Sequence, residues 1–186
     1  GPAVVYFPTC ISRVMGGVTG KKNIPDTFLS VSSKSGIQVI IPQGIESLCC
    51  GQLFSSKGYN PAYADKVNET IEKLWTITNG GMLPVILDVT SCSHTLQQCR
   101  PVLSDSNKEK YDRLSILDSI DYLHDYVMPA CGPVEKKGTV VLHPVCSLQK
   151  MGLERKFVAV ASHFSNTADV PVHSGCCGMA GDRGFL

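Results

Sequence analysis

Two stretches of this chain repeat one another. The segment VVYFPTCISRVMG at 4–16 lies over VVLHPVCSLQKMG at 140–152, matching Val4 with Val140, Val5 with Val141, Pro8 with Pro144, Cys10 with Cys146, Met15 with Met151 and Gly16 with Gly152. Further along, SLCCGQ around Cys49 and Cys50 returns as SGCCGM around Cys176 and Cys177. A chain that carries an internal duplication builds one supersecondary unit twice, so whatever fold the first copy adopts, the second must be able to begin. The first copy adds DVTSCSHTL around Cys92, for which the second shows no counterpart before Leu186. The expected organisation is a first half over 1–130, a linker over 131–138 rich in Gly, Pro and charge, and a second half over 139–186 truncated at its C-terminal side.

The hydrophobic pattern alternates strand and helix. Ala3 to Phe7 is an apolar run closed by Pro8, with a helix expected from Ile11 to Gly16-Gly17. Ile37 to Ile41 reads as a buried strand stopped by Pro42, and Pro84 to Val89 as another. Between them Ala64, Val67, Ile71, Leu74 and Trp75 recur at helical spacing over Pro61 to Asn79, followed by the stop signal Gly80-Gly81. A further amphipathic helix is expected over Ser115 to Val127. The second copy then predicts a strand at Thr139 to Leu142, a helix over Ser147 to Ser162 and a strand at Asp169 to Val172. This order predicts an α/β fold: two pseudo-repeated strand-helix units with mainly parallel sheets flanked by helices, and ligand sites at the carboxyl ends of strands.

Each key cysteine falls after an expected strand. Cys10 follows VVYFPT, Cys50 follows IIPQGIESLC and Cys92 follows PVILDVTS, so three strand-to-helix turns could bring Cys10, Cys49, Cys50 and Cys92 to one spot. Four thiolates suit an iron-sulfur cluster or a tetrahedral zinc ion, since both prefer soft sulfur donors. Helix N-termini at the same place are expected to lower the thiol pKa values. Gly51 and Gly178 follow the two vicinal pairs, where a residue without Cβ lets the chain turn sharply against a bulky ligand. The alternative is that buried cysteines act as small hydrophobes and the pairs reflect duplication alone. A Gly after both pairs and Pro-x-Cys at both starts favour the ligand reading. Cys146, Cys176 and Cys177 form the corresponding set of the second half, which is expected to hold no intact cluster.

His94, two residues past Cys92, and His143, ahead of Cys146, are secondary metal candidates; the counterpart of His143 in the first half is Phe7. Cys99 and Cys131 read as plain cysteines. His124, His163 and His173 read as surface or satisfied structural residues. Asp182 and Arg183, in the glycine-rich tail, are expected to form a structural salt bridge or a cap. The chain has nine cysteines, an odd number that rules out complete pairing within one chain. No leader is visible, so metal or redox chemistry in a reducing compartment is favoured over a secreted disulfide scaffold.

Composition removes several other functions. Seventeen basic against sixteen acidic residues leave a net charge of +1, and aromatic residues make up 7%, so neither charge nor stacking side chains point to nucleic acid. No apolar run approaches the roughly 20 residues that span a bilayer. No catalytic-triad order, P-loop, dinucleotide-binding glycine turn or His-Glu-x-x-His motif is present. The opening Gly1-Pro2, without an initiator Met and directly before a strand, is expected of a boundary inside a longer polypeptide.

With these residues in view, the chain resembles the cysteine-rich domain family named for its Cys-Cys-Gly motif, found in heterodisulfide reductases, anaerobic glycerol-3-phosphate dehydrogenases and the iron-sulfur components of glycolate or lactate oxidases. The phrases VVYFPTCISRVMG, LPVILDVTSCSHTL, DSIDYLHDYVMP, VVLHPVCSLQKMG and SGCCGMAGDRGF are more narrowly similar to the C-terminal region of large FAD-linked D-lactate or D-2-hydroxyacid dehydrogenases. The resemblance implies FAD in an absent N-terminal part, a ferredoxin-like iron-sulfur segment between, and this region as the relay or docking end. Electrons would pass toward a quinone, a cytochrome or another acceptor, in a cytoplasmic protein that meets a membrane only through its partners. The isolated piece is expected to be inactive on the hydroxyacid. The fullest family motif ends each half in Cys-x-x-Cys; here Cys92 is followed by Ser93, His94 and Thr95, which leaves four candidate ligands and argues against a noncubane cluster. A zinc-binding or structural docking module and a thiol-disulfide redox domain are the alternatives.

Overall fold

The strand AVVYF at Ala3–Phe7 (β1) buries four of its five side chains. A strand buried on both faces belongs in a parallel sheet covered by helices on either side. The computed structural model describes residues 1–14, 17–172 and 175–178, and there β1 occupies an inner position of such a sheet. Its partners are Gln38–Ile40 (β2), Val85–Leu87 (β3) and Ile116–Asp118 (β4), in the order β2-β1-β3-β4 with every pair parallel. Val5 pairs with Ile40 on one side and Val85 on the other, while Leu87 pairs with Asp118.

Helices fill each crossover. Cys10–Val14 (α1) and Ile24–Lys34 (α2) connect β1 to β2; Gln52–Ser56 (α3) and Asn60–Ile77 (α4) connect β2 to β3; Thr90–Gln97 (α5) and Asp105–Tyr111 (α6) connect β3 to β4. Strand alternation then divides the side chains between two layers. Val5, Phe7, Val85 and Leu87 pack with Val67, Ile71 and Leu74 of α4 and Leu96 of α5 in one core. Tyr6, on the opposite face of β1, stacks on Phe28 of α2 with ring centroids 4.1 Å apart.

The chain divides into two compact units, Gly1–Ser119 and Ile120–Leu186. The division falls at Ser119–Tyr122 (α7), ahead of the segment 132–138, which carries neither helix nor strand. In the second unit a π-helical turn at Leu123–Val127 runs into Met128–Cys131 (α8). Thr139–Val141 (β5) and Thr167–Asp169 (β6) form a two-stranded parallel sheet, with Cys146–Lys150 (α9) and Glu154–Phe164 (α10) between them. Lys156 of α10 reaches Asp121 and Asp125, each at 2.6 Å. The order strand, short helix, longer helix, parallel strand is that of β1 to β2.

The α/β class with parallel sheets flanked by helices is therefore as expected, while several elements differ. The helix expected over Ser115 to Val127 begins only at Ser119, because Ile116–Asp118 satisfies its backbone by pairing with β3. The helix expected over Ser147 to Ser162 is broken at Gly152, whose φ of 69° is left-handed. The last strand lies at Thr167–Asp169 rather than 169–172. Met15, Gly16, His173, Asp182 and Arg183 lie outside the described residues. Among the described residues, no helix is long and apolar enough to cross a membrane.

Candidate functional site

In a sheet ordered β2-β1-β3-β4, the connection leaving β1 goes to one side and the chain later returns on the other at β3. Between the carboxyl ends of β1 and β3 the two connections diverge and leave a crevice, the usual ligand position of open α/β sheets. Cys10 opens α1 just past β1; Cys92 lies in the first turn of α5 just past β3; Cys49 and Cys50 sit in the loop between β2 and α3. The four line a single closed crevice together with Phe7, Thr9, Leu48 and Leu87. Cys50 and Cys92 are buried, whereas Cys10 and Cys49 are half-buried.

Polar contacts from neighbouring elements hold these segments. Asp88, the residue after β3, accepts from the Tyr6 hydroxyl at 2.5 Å and from the Thr9 amide at 3.1 Å, which fixes the turn into the Cys10 helix. Thr70 of α4 donates its hydroxyl to the Cys49 carbonyl at 2.9 Å. Arg13 of α1 donates to the Leu48 carbonyl at 3.1 Å, one residue ahead of the vicinal pair. Gly51 has φ 81°, and its amide donates to the Cys49 sulfur at 3.4 Å. A Cβ at Gly51 would stand 2.7 Å from the Tyr63 ring, so glycine is required both by conformation and by the close approach of α4.

The thiols of Cys49 and Cys50 act on one another, as do those of Cys50 and Cys92. Its hydrogen bond to Cys50, and then burial, push the Cys49 thiol well above the usual thiol range, against the opposing Gly51 amide. The contact from Cys49 lowers the Cys50 pKa, but the hydrogen bond to Cys92 and burial outweigh it and leave Cys50 pushed up to about 12. The expected acidification by helix N-termini is thus reversed at this pair, because both thiols sit in a loop where desolvation and sulfur neighbours favour the neutral form.

The remaining cysteines and histidines separate cleanly. His94 is half-buried on α5 and does not line the cleft. Cys99 is fully buried in the α4–α5 core, and Cys131 is half-buried at the end of α8. In the second unit Cys146, Cys176 and Cys177 are all exposed, as is His143. The second Cys-Cys-Gly turn nevertheless repeats the first: Gly178 has φ 75° and its amide donates to the Cys176 sulfur at 3.4 Å. His124 pairs through Nδ1 with Asp125 at 2.6 Å. His163, expected as a surface or satisfied structural residue, is half-buried against Phe164 with a buried Nε2 that has no hydrogen-bond partner among the described residues.

No sequence motif pointed to Arg13, Thr70 or Asp88. Only Asp88 left a trace there, as a carboxylate directly after the apolar run VIL. Thr70 and Arg13 act through contacts to a distant loop, which no local pattern encodes.

Four sulfur donors on one cleft match the ligand chemistry shared by iron-sulfur clusters and tetrahedral zinc. Among the described residues, no group of three or more His, Cys, Asp or Glu side chains is arranged to hold a metal ion as it stands. No curated protein matches the chain. A sequence model described as a cysteine-rich domain, CCG, matches residues 4–97, from β1 to the end of α5, and so takes in all four cleft thiols. Nine cysteines and this match are compatible with metal or iron-sulfur binding. With half its length matched, the chain belongs to the CCG cysteine-rich domain family.

Proposed function

We propose that the first unit is an iron-sulfur electron-transfer module, and that it serves a multidomain FAD-linked oxidoreductase acting on D-lactate or a related 2-hydroxyacid. The observation that supports the module is the convergence of Cys10, Cys49, Cys50 and Cys92 on one cleft at the switch point of the sheet. The support for the flavin context is the phrase-level resemblance alone. A bound cluster would take up and release single electrons there. The chain's own contribution is to supply sulfur from three separate connections, to brace the Cys49 backbone through Thr70, and to aim the Gly51 amide at the Cys49 sulfur. An N–H directed at a ligating sulfur offsets part of its negative charge, which is one of the levers that set a cluster's potential. Cys146, Cys176 and Cys177 of the second unit are exposed and are assigned no cluster.

Anaerobic reconstitution of the 186-residue chain with ferrous iron and sulfide tests the module. The expected result is iron and sulfide in equal amounts, about four of each for a cluster on four cysteines, with an electron paramagnetic resonance signal on reduction. Replacing Cys10, Cys49, Cys50 or Cys92 by Ser should abolish loading, and replacing Cys146 should not. A chain that takes up no iron, or takes up one colourless zinc instead, sinks the cluster assignment. In the longer polypeptide, unchanged electron delivery to the natural acceptor after Cys49→Ser and Cys50→Ser would count against a relay.

A further inference from the structure

Arg13 touches two of the three segments that carry the cleft thiols. It lies three residues beyond Cys10 on α1, so the two share a helix face. Its guanidinium donates from Nε to the Thr9 carbonyl at 3.4 Å, from Nη1 to the Ile45 carbonyl at 3.4 Å and from Nη2 to the Leu48 carbonyl at 3.1 Å. All three acceptors are neutral backbone carbonyls. Ile45 and Leu48 bracket the short 3-10 turn that leads directly into Cys49. A planar fork of donors can hold both carbonyls at once, which a lysine ammonium on its flexible stem cannot.

The duplication supplies an internal comparison. Gln149 stands where the first copy has Arg13, and its amide donates to the Pro144 carbonyl at 3.3 Å, within its own connection. In that unit Cys176 and Cys177 are exposed, whereas Cys49 is half-buried and Cys50 buried. The copy with the arginine fork is the copy whose vicinal pair is drawn into the fold.

We infer that Arg13 is a positioning residue of the thiol site: it clamps the loop leading to Cys49 and Cys50 against the helix that carries Cys10. The inference rests on the reading of those thiols as metal ligands. It assigns Arg13 no contact with the metal.

Cobalt(II), added to the reduced 186-residue chain under argon, is the probe, because its thiolate charge-transfer and ligand-field bands report coordination directly. Arg13→Met removes fork and charge; Arg13→Lys keeps the charge alone. Arg13→Met should weaken cobalt binding about 10- to 100-fold, as loss of an outer partner of a metal site does, and should shift the ligand-field bands. Arg13→Lys should recover part of the affinity without restoring the band positions. In the metal-free protein, Cys49 and Cys50 should alkylate faster in both variants while Cys99 does not, with far-UV circular dichroism unchanged. Variants that bind cobalt as tightly and with the parent spectrum overturn the clamp. Variants that lose their helical signal also overturn it, since the arginine would then support the unit rather than the site. If the parent chain shows no thiolate-cobalt absorption, the metal reading falls by itself; the alkylation rates then decide the clamp, which stands if they rise and falls if they do not.

Discussion

Two residues on the Cys49 side of the cleft show how local chemistry is tied to distant packing. Gly51 is left-handed and backs onto Tyr63, while Gly178 has the same backbone but meets nothing within 4 Å among the described residues. Gly51→Ala should therefore cost about 1–3 kcal/mol through strain and a clash with the ring. The single tryptophan, Trp75 on α4, reports the first unit, and its fluorescence should show a lower denaturation midpoint for Gly51→Ala and none for Gly178→Ala. Thr70 is fully buried, and its hydroxyl serves the Cys49 carbonyl and so braces the loop backbone. Thr70→Val keeps the shape but strands that acceptor, and the expected loss is about 1–3 kcal/mol by the same fluorescence. An unchanged midpoint would show that the loop holds without it.

At the scale of elements, α4, α5 and α6 enclose a second polar feature that the site does not use. Cys99 is fully buried, and burial pushes its thiol up to about 12 from an ordinary 9.0. The Tyr111 hydroxyl, which donates to the Gln97 carbonyl at 2.6 Å, is raised by burial and by Cys99 to about 12 from 10.0. Both groups keep their protons in the folded chain at pH values where the unfolded chain releases them. Their contribution to stability is therefore complete below pH 9 and lost as pH rises from 9 toward 12. Denaturant midpoints from Trp75 should fall across that window, and Cys99→Ala should flatten the fall; a midpoint independent of pH up to 12 would refute it.

The same scale shows what the sequence could reveal. β1, β3 and α4 were legible because an apolar run closed at Pro8, another opened at Pro84 and a helical stripe ended at Gly80, and the cleft cysteines were legible as residues following the expected strands. Ile116–Asp118 was not, since three residues of strand sit inside a window of helical period and become a strand only by pairing with β3. Ile24–Lys34 was not either: its Ser-rich sequence has weak helix propensity. The Asn23 cap on the Asp26 amide at 2.7 Å and the stacking of Phe28 on Tyr6 hold it instead.

At the scale of the whole molecule, the duplicated sequence has produced unequal partners. All four cleft thiols and their braces lie in Gly1–Ser119. A chain of residues 1–119 should fold with the Trp75 transition of the full chain and take up the same iron; loss of either would mean that the second unit is needed to complete the first. The tie from Tyr6 and Thr9 to Asp88 has a consequence for biosynthesis. It joins positions 82 and 79 residues apart, so during translation Cys10, Cys49 and Cys50 emerge well before the strand that brings Cys92 beside them. The nascent chain therefore presents three of the four sulfurs before β3 has left the ribosome, and the crevice can form only once β3 pairs with β1.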